Sequence, residues 1–289
     1  MRTRTDGQTL AWRALRSGPA RAAFNMAVDE AIMAAVSRGE SPPTLRVYDW
    51  QPPAVSVGYA QAVNGQVNLA ACRERGYDVV RRPTGGRAIL HDDEVTYSVC
   101  LREDDLLHGH SVRGSYRELS RGIERGLALL GVAAELAERS GVEDVPRAAL
   151  PVACFAKAAR GDMVWGGRKI VGSAQTRRAG AILQHGSVPL RLDLMALAAV
   201  FGGAAPPGEQ EHLRVGATGI VDALGVPVTR AQLAEALLAG FREAFPGDWS
   251  DGELSDRERE EAERLAREKY EVLEVTGDRR LPCVCRVGR

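Results

Sequence analysis

Hydrophobic positions recur at helical spacing in several long stretches of the chain and alternate in several short ones. Phe24, Ala27, Val28, Ala31, Ile32 and Ala35 define an amphipathic helix over about residues 24–37, with Asp29 and Glu30 off its apolar stripe. Tyr116, Leu119, Ile123, Leu127 and Leu130 stripe a second helix, and Gly131 is placed to end it as its C′ residue. Leu233, Leu237, Phe241 and Phe245 mark a third, which Thr229 can cap. Ser255-x-x-Glu258 is a capping box that opens a highly charged helix reaching about Tyr270. LAACRERGY reads as a short helix closed by Gly76.

Between these lie strands. TLRVYDW and AVSVGYA are separated by Pro52-Pro53. DVVRR leads through the loop PTGG into RAILHDDEVTYSVCL, where Val95, Tyr97, Val99 and Leu101 share a face. DMVW and RKIVGSAQ flank Gly166-Gly167, a two-residue connection suited to a β-hairpin, and GAILQHGSVPL is a further strand. Residues 132–153 carry little pattern. The sum is an α+β chain with mixed or antiparallel sheets flanked by helices. Gly202-Gly203 and Pro206-Pro207 suggest a break, so residues 1–205 are expected to form a main domain and 206–289 a smaller, largely helical C-terminal subdomain.

Composition narrows the function classes. The 289 residues are 45% hydrophobic, and 38 Lys+Arg balance 38 Asp+Glu. A net charge of zero gives no reason to expect a nucleic-acid or anionic-membrane partner. No apolar run approaches the roughly 20 residues needed to span a bilayer. The N-terminus MRTRTDGQTLAW lacks the apolar core of a signal peptide, so a cytoplasmic protein is expected. Five cysteines, an odd number, fit free thiols better than a disulfide framework. Cys283 and Cys285 have no nearby His or Cys to complete a zinc quartet, and no metal is expected.

Chemistry gathers around one loop. Arg81, Arg82 and Arg87 surround Gly85-Gly86, with His91 just beyond. Glycines let backbone N–H groups approach a ligand, and guanidiniums pair with phosphate or carboxylate. The loop matches neither the P-loop nor the dinucleotide fingerprint. Cys154 stands in a polar-rich segment, and Lys169 interrupts the apolar strand RKIVGSAQ. As a strand-edge lysine in solvent, Lys169 would be truncated at a cost well under ~1 kcal/mol.

RRPTGGRAILHDDEVTYSV, ACF, GRKIVGSAQ and ILQHGSVPL, in this order and spacing, resemble the lipoate–protein ligase A/octanoyltransferase superfamily. FNMAVDEAIM and PTLRVYDWQPPAVSVGYAQ resemble its opening segments, so the likeness covers about residues 10–225. It is closest to the cysteine-dependent octanoyl-acyl carrier protein:protein octanoyltransferases of the glycine-cleavage H-protein type. The resemblance implies a biotin/lipoate ligase-like fold and transfer of octanoyl from acyl carrier protein to a lysine of a lipoyl domain, with no cofactor. It implies Cys154 as nucleophile and Lys169 as a cation holding the acyl carbonyl oxygen. It implies substrate contacts from Arg82, Thr84, Gly85, Gly86, Arg87, His91, Gly172 and Ser173. His91 reads as a structural hydrogen-bonder or a proton acceptor and His185 as a structural hydrogen-bonder, with Arg81 and Arg82 as docking groups for the loop or for an acidic carrier protein. Arg87 stands where lipoate ligases carry a third glycine, and the tail EVLEVTGDRRLPCVCRVGR departs from the family's usual acidic, tryptophan-containing ending. Three alternatives stay open: an ATP-dependent lipoate ligase, an amidotransferase relaying octanoyl between lipoyl domains, and a silent scaffold that binds either carrier.

Overall fold

A computed structural model describes residues 9–137, 161–201, 216–276 and 279–282. Its strands are β1 (Ala11–Ala20), β2 (Thr44–Trp50), β3 (Ala54–Val57), β4 (Asp78–Arg81), β5 (Ile89–His91), β6 (Glu94–Arg102), β7 (Glu135–Leu136), β8 (Met163–Trp165), β9 (Arg168–Arg178), β10 (Ala181–Pro189), β11 (Asp248–Gly252), β12 (Val272–Thr276) and β13 (Arg279–Pro282). The helices are α1 (Ala22–Ser37), α2 (Leu69–Glu74), α3 (Val112–Leu129), α4 (Leu194–Phe201), α5 (Ile220–Leu224), α6 (Arg230–Ala244) and α7 (Asp256–Leu265), the last running into a π turn at Ala266–Tyr270.

Eight strands form the main sheet in the order β11-β1-β2-β6-β10-β9-β8-β7. β1 is parallel to β2 and β11, and the remaining pairs are antiparallel, so the sheet is mixed. A three-stranded sheet, β4-β3-β5, stands apart from it. The expected single stretch RAILHDDEVTYSVCL therefore divides. Its first part joins the small sheet as β5 and its second joins the large sheet as β6, with Asp92-Asp93 bridging them.

Helices cover both faces of the main sheet. α3 and α6 bury Leu119, Ile123, Leu127, Leu233, Leu237 and Phe241 in one apolar core. They cross at contact distance because a Cβ on Gly240 would stand 2.1 Å from the Gly126 nitrogen. α1 and α7 form the other layer through Met26, Ala27, Ala31, Ile32 and Ala262. The capping boxes open both C-terminal helices: Thr229 with Gln232, and Ser255 with Glu258. Gly131 takes φ +90° just past α3, and Gly166-Gly167 take φ +55° and +76° between β8 and β9, as their positions require. The boundary expected at residue 205 lies outside the described residues. The elements after it pack on those before it: β11 pairs with β1, and α7 packs on α1.

Candidate active site

The glycine loop is held from beneath by Arg82, which is 3% exposed. Its Nη2 donates to the carbonyls of Gly85 (2.7 Å) and Arg87 (2.8 Å), and its Nη1 donates to the carbonyl of Ser56 (3.0 Å). A guanidinium is the only side chain with enough rigid donors to tie these carbonyls together. Glycine is required where the loop meets β3, because a Cβ on Gly58 would lie 2.0 Å from the Gly86 carbonyl oxygen.

Two matching arms leave Arg82. In the first, Arg82 Nε donates to the Thr84 hydroxyl (3.1 Å), which lies 2.7 Å from His185 Nε2, and His185 Nδ1 lies 3.1 Å from Asp29 Oδ2. In the second, Arg82 Nη1 donates to the Ser56 hydroxyl (3.2 Å), which lies 2.8 Å from His91 Nε2, and His91 Nδ1 lies 2.9 Å from Glu94 Oε1. Each arm runs arginine, hydroxyl, imidazole, carboxylate. A carboxylate only accepts, so each Nδ1 carries the proton; each hydroxyl accepts from Arg82 and donates to a neutral Nε2. Every donor then has an acceptor, and both imidazoles are fixed in one tautomer.

The carboxylates are anchored in turn. Arg46, 1% exposed, pairs with Asp29 at 2.7 Å, while Ser98 and Tyr48 donate to the same carboxylate. Burial pushes the Asp29 carboxyl up, but the hydrogen bond from His185 and the charge of Arg46 outweigh it and hold it below its ordinary range. Burial pushes the Glu94 carboxyl up, but the neighbouring His91 and then the hydrogen bonds from Ser187 and Thr96 outweigh it and hold it below its ordinary range as well. Burial pulls His185 below its ordinary 6.5 despite Asp29, consistent with a neutral ring.

Above the arms lies a narrow cleft lined by apolar Met26, Trp50, Ile89 and Ala174 and by Tyr48, Arg82, His91, Gly172 and His185. Trp50 stacks on His91 with ring centroids 4.1 Å apart. The wall at Gly186 is tight, since a Cβ there would meet Ser173 Oγ at 2.6 Å.

The structure thus brings Arg82, Thr84, Gly85, Gly86, His91 and Gly172 to one cleft and its supporting loop. Ser173 borders it and exchanges a hydrogen bond with Tyr97 at 2.7 Å. Arg87 contributes its carbonyl to Arg82. Cys154 lies outside the described residues. Lys169 does not line the cleft, and it is not the solvent-facing edge lysine that strand alternation suggests. It is 1% exposed, and its Nζ sits 2.9 Å from Asp162 Oδ1. Its main chain is held by the amide of Thr218, so β9 at this point is covered by the start of α5's lead-in rather than forming an open edge. Arg81 also turns inward, donating to the carbonyls of Gly58, Tyr59 and Gln61.

Sequence reading passed over Asp29, Arg46, Ser56 and Glu94. Asp29 is fully buried although it stands off the apolar stripe of α1, because that helix is enclosed on nearly all sides. The available signal was Arg46, a charge inside the otherwise apolar strand TLRVYDW, which demands a buried partner.

The chain is similar to known proteins along most of its length. Octanoyltransferase LipM of Symbiobacterium thermophilum is 47% identical over 266 residues, covering 90% of this chain and 95% of the relative. Octanoyltransferase LipM of Kyrpidia tusciae is 48% identical, covering 88% and 94%. Among solved structures, the bi-partite lipoate protein ligase of Thermoplasma acidophilum superposes with a TM-score of 0.74 at 25% identity, over 90% of this chain and 93% of that one. A lipoate-protein ligase A bound with ATP superposes with a TM-score of 0.73 at 27% identity, over 90% and 96%. The match to the lipoyl protein ligase A/B catalytic domain runs over residues 21–242, from the start of α1 to the last turn of α6, and takes in every group of both arms: the chain belongs to that family.

Proposed function

We propose that this chain is an octanoyltransferase that moves octanoyl from octanoyl-acyl carrier protein, through a thioester on Cys154, to a lysine of a lipoyl domain such as the glycine-cleavage H protein, in the cytoplasm. The observation that carries this reading is near-half identity to octanoyltransferases across about nine tenths of the chain. The cleft supports it: apolar walls suit a short acyl chain, and the carbonyl end meets a fixed polar floor.

In the first step the Cys154 thiolate attacks the thioester carbonyl. A carbon–sulfur bond forms to Cys154 as the carrier's carbon–sulfur bond breaks, and the carrier leaves as a thiol. In the second step the neutral acceptor amine attacks the acyl-enzyme; the carbon–sulfur bond to Cys154 breaks as the amide forms, the Cys154 thiolate is regenerated, and the proton the amine loses to solvent balances the one the departing carrier took up. In this reading Lys169 is the cation that holds the developing oxyanion and favours thiolate over thiol, a role for which its ammonium, paired with Asp162 and outside the described cleft, has to turn toward Cys154. Both described thiols are unsuited to the task, since burial pushes Cys72 up to about 11 and Cys100 well above its ordinary value. The arms keep the glycine loop in one shape so that Gly85-Gly86 can close over the acyl group.

Intact mass after mixing with octanoyl-acyl carrier protein alone is expected to show one octanoyl adduct removed by neutral hydroxylamine. Normal transfer by Cys154→Ala would overturn the covalent route. The ATP-bound ligase neighbour favours a second reading, an ATP-dependent ligase. Against it, the Arg87 side chain stands where ligases keep a third glycine for close approach of an adenylate. Acceptor modification from free octanoate that depends on ATP would decide for the ligase.

A further inference from the structure

Arg113, Arg117, Arg121 and Arg125 stand at four-residue intervals along α3, and all four are exposed. That spacing places them on one gently drifting stripe about 18 Å long at 1.5 Å rise per residue. Arg125 pairs with Glu243 on α6 at 2.9 Å. Among the described residues nothing pairs with Arg113, Arg117 or Arg121. Some other exposed arginines, Arg16, Arg38, Arg257 and Arg264, each hold a carboxylate; Arg73, Arg75, Arg259 and Arg267 are exposed without an ion pair among the described residues, but they are not aligned in a row of three on one helix. Of the two glutamates on the same helix, Glu118 accepts from the Leu107 and His108 amides, and neither Glu118 nor Glu124 forms an ion pair with the three arginines among the described residues. In a chain of zero net charge, α3 carries four arginines against two glutamates, a local excess of positive charge. The opposite face of α3 is locked into the core, so the stripe is rigid.

The first turns of α3 reach β9, the strand that carries Lys169. Tyr116, next to Arg117, donates to the Ser173 carbonyl at 3.5 Å. A Cβ on Gly161 would stand 3.9 Å from the Tyr116 ring, and the following residue, Asp162, holds Lys169. An acceptor must bring a short lysine side chain directly to the thioester, so it has to dock at the mouth. A donor that carries its acyl group on a long flexible arm can dock at a distance.

We propose that Arg113, Arg117 and Arg121 dock an acidic helix of the acyl carrier donor, with carboxylates spaced one turn apart facing the three guanidiniums. This rests on the octanoyltransferase reading and moves the carrier-docking role from Arg81 and Arg82, which are turned inward, to α3. Guanidiniums stay charged at every working pH, so the contact responds to salt and not to proton concentration.

The test compares the wild-type chain with the triple variant Arg113→Glu/Arg117→Glu/Arg121→Glu and the neutral triple Gln variant. Three substrates are titrated: octanoyl-acyl carrier protein, octanoyl-pantetheine (the same thioester without the protein) and the lipoyl-domain acceptor. The Glu variant is expected to raise KM for octanoyl-acyl carrier protein at least about tenfold with kcat unchanged, and the Gln variant less. Octanoyl-pantetheine kinetics and the acceptor's KM are expected to stay as in wild type. Direct binding of acyl carrier protein to the full chain, followed by fluorescence anisotropy, is expected to weaken with added NaCl in wild type and to be lost in the Glu variant. Unchanged carrier KM, an equal rise with both thioesters, or a rise confined to the acceptor would each overturn the proposal. Wild-type protein that binds the carrier through these arginines but transfers no octanoyl would overturn the octanoyltransferase reading and leave the docking surface standing. Wild-type protein that transfers octanoyl while both variants bind carrier normally would do the reverse.

Discussion

Arg82 and Arg117 are the same residue in opposite surroundings. Arg82 is 3% exposed, and its guanidinium ties the Ser56, Gly85 and Arg87 carbonyls to two hydroxyls. Arg117 projects into water from α3 with no partner among the described residues. In the sequence, the arginines around the glycines attract attention and the α3 arginines do not. In the structure, the first group holds the protein's own backbone and the second is exposed, with no ion pair among the described residues for Arg113, Arg117 and Arg121. Lys169 sides with Arg82: a buried cation paired to Asp162. Clustering with glycine marks where a cation sits in the chain, and burial decides whether its donors are already engaged.

The largest effect expected from this contrast is at Lys169. Removing one partner of a buried ion pair costs about 3–5 kcal/mol, in contrast to the small cost of an edge lysine. Loss of an oxyanion-stabilising donor costs roughly 10²–10³ in rate. Lys169→Ala is therefore expected to lose both stability and transfer. The double variant Lys169→Met/Asp162→Asn should recover most of the melting temperature and none of the activity. A Lys169→Ala protein that melts early but keeps its specific activity would make the lysine structural only.

Arg82→Lys should come next. An ammonium cannot reach carbonyls and hydroxyls on both sides at once, and each buried acceptor left without a donor costs about 1–3 kcal/mol. Denaturant unfolding is expected to show a loss in that range, with transfer down more than about tenfold because the loop is no longer fixed. Replacing Arg113, Arg117 and Arg121 together by Gln should change stability by no more than about 0.5 kcal/mol per site. Equal destabilisation by the two sets would dissolve the contrast.

The smallest effect is in pH. His185 has its pKa pulled below the ordinary 6.5 in the folded protein, so the unfolded chain binds its proton first. Stability is full above 6.5 and falls as pH drops toward the folded-state value, with a slope of at most about 1.4 kcal/mol per pH unit for one proton. Asp29 and Glu94, both held low, add a second loss as pH falls below their ordinary 3.8 and 4.5. His185→Gln should be less stable at neutral pH and should flatten the limb just below 6.5 in melting temperature against pH. An unchanged limb in that variant would assign it to another group.

Local patterns were legible wherever a short segment decides its own conformation. The α3 and α6 stripes, the Thr229 and Ser255 caps and the Gly166-Gly167 turn follow from periodicity, side-chain hydrogen bonds to nearby amides and positive φ, and each involves residues at most a few positions apart. The glycine loop and its arginines were equally visible. Tertiary structure alone decided what these groups face. Asp29 meets His185 across 156 positions and Ser98 across 69, and a helical period that marks Asp29 as polar says nothing of the strands that enclose it. The same limit applies to Lys169: alternation along β9 gives its side of the strand, but only the packing of Asp162 and Thr218 against it makes that side an interior. Sequence fixes periodicity because backbone geometry is local; it leaves open the buried polar partners because those are chosen by which elements pack together.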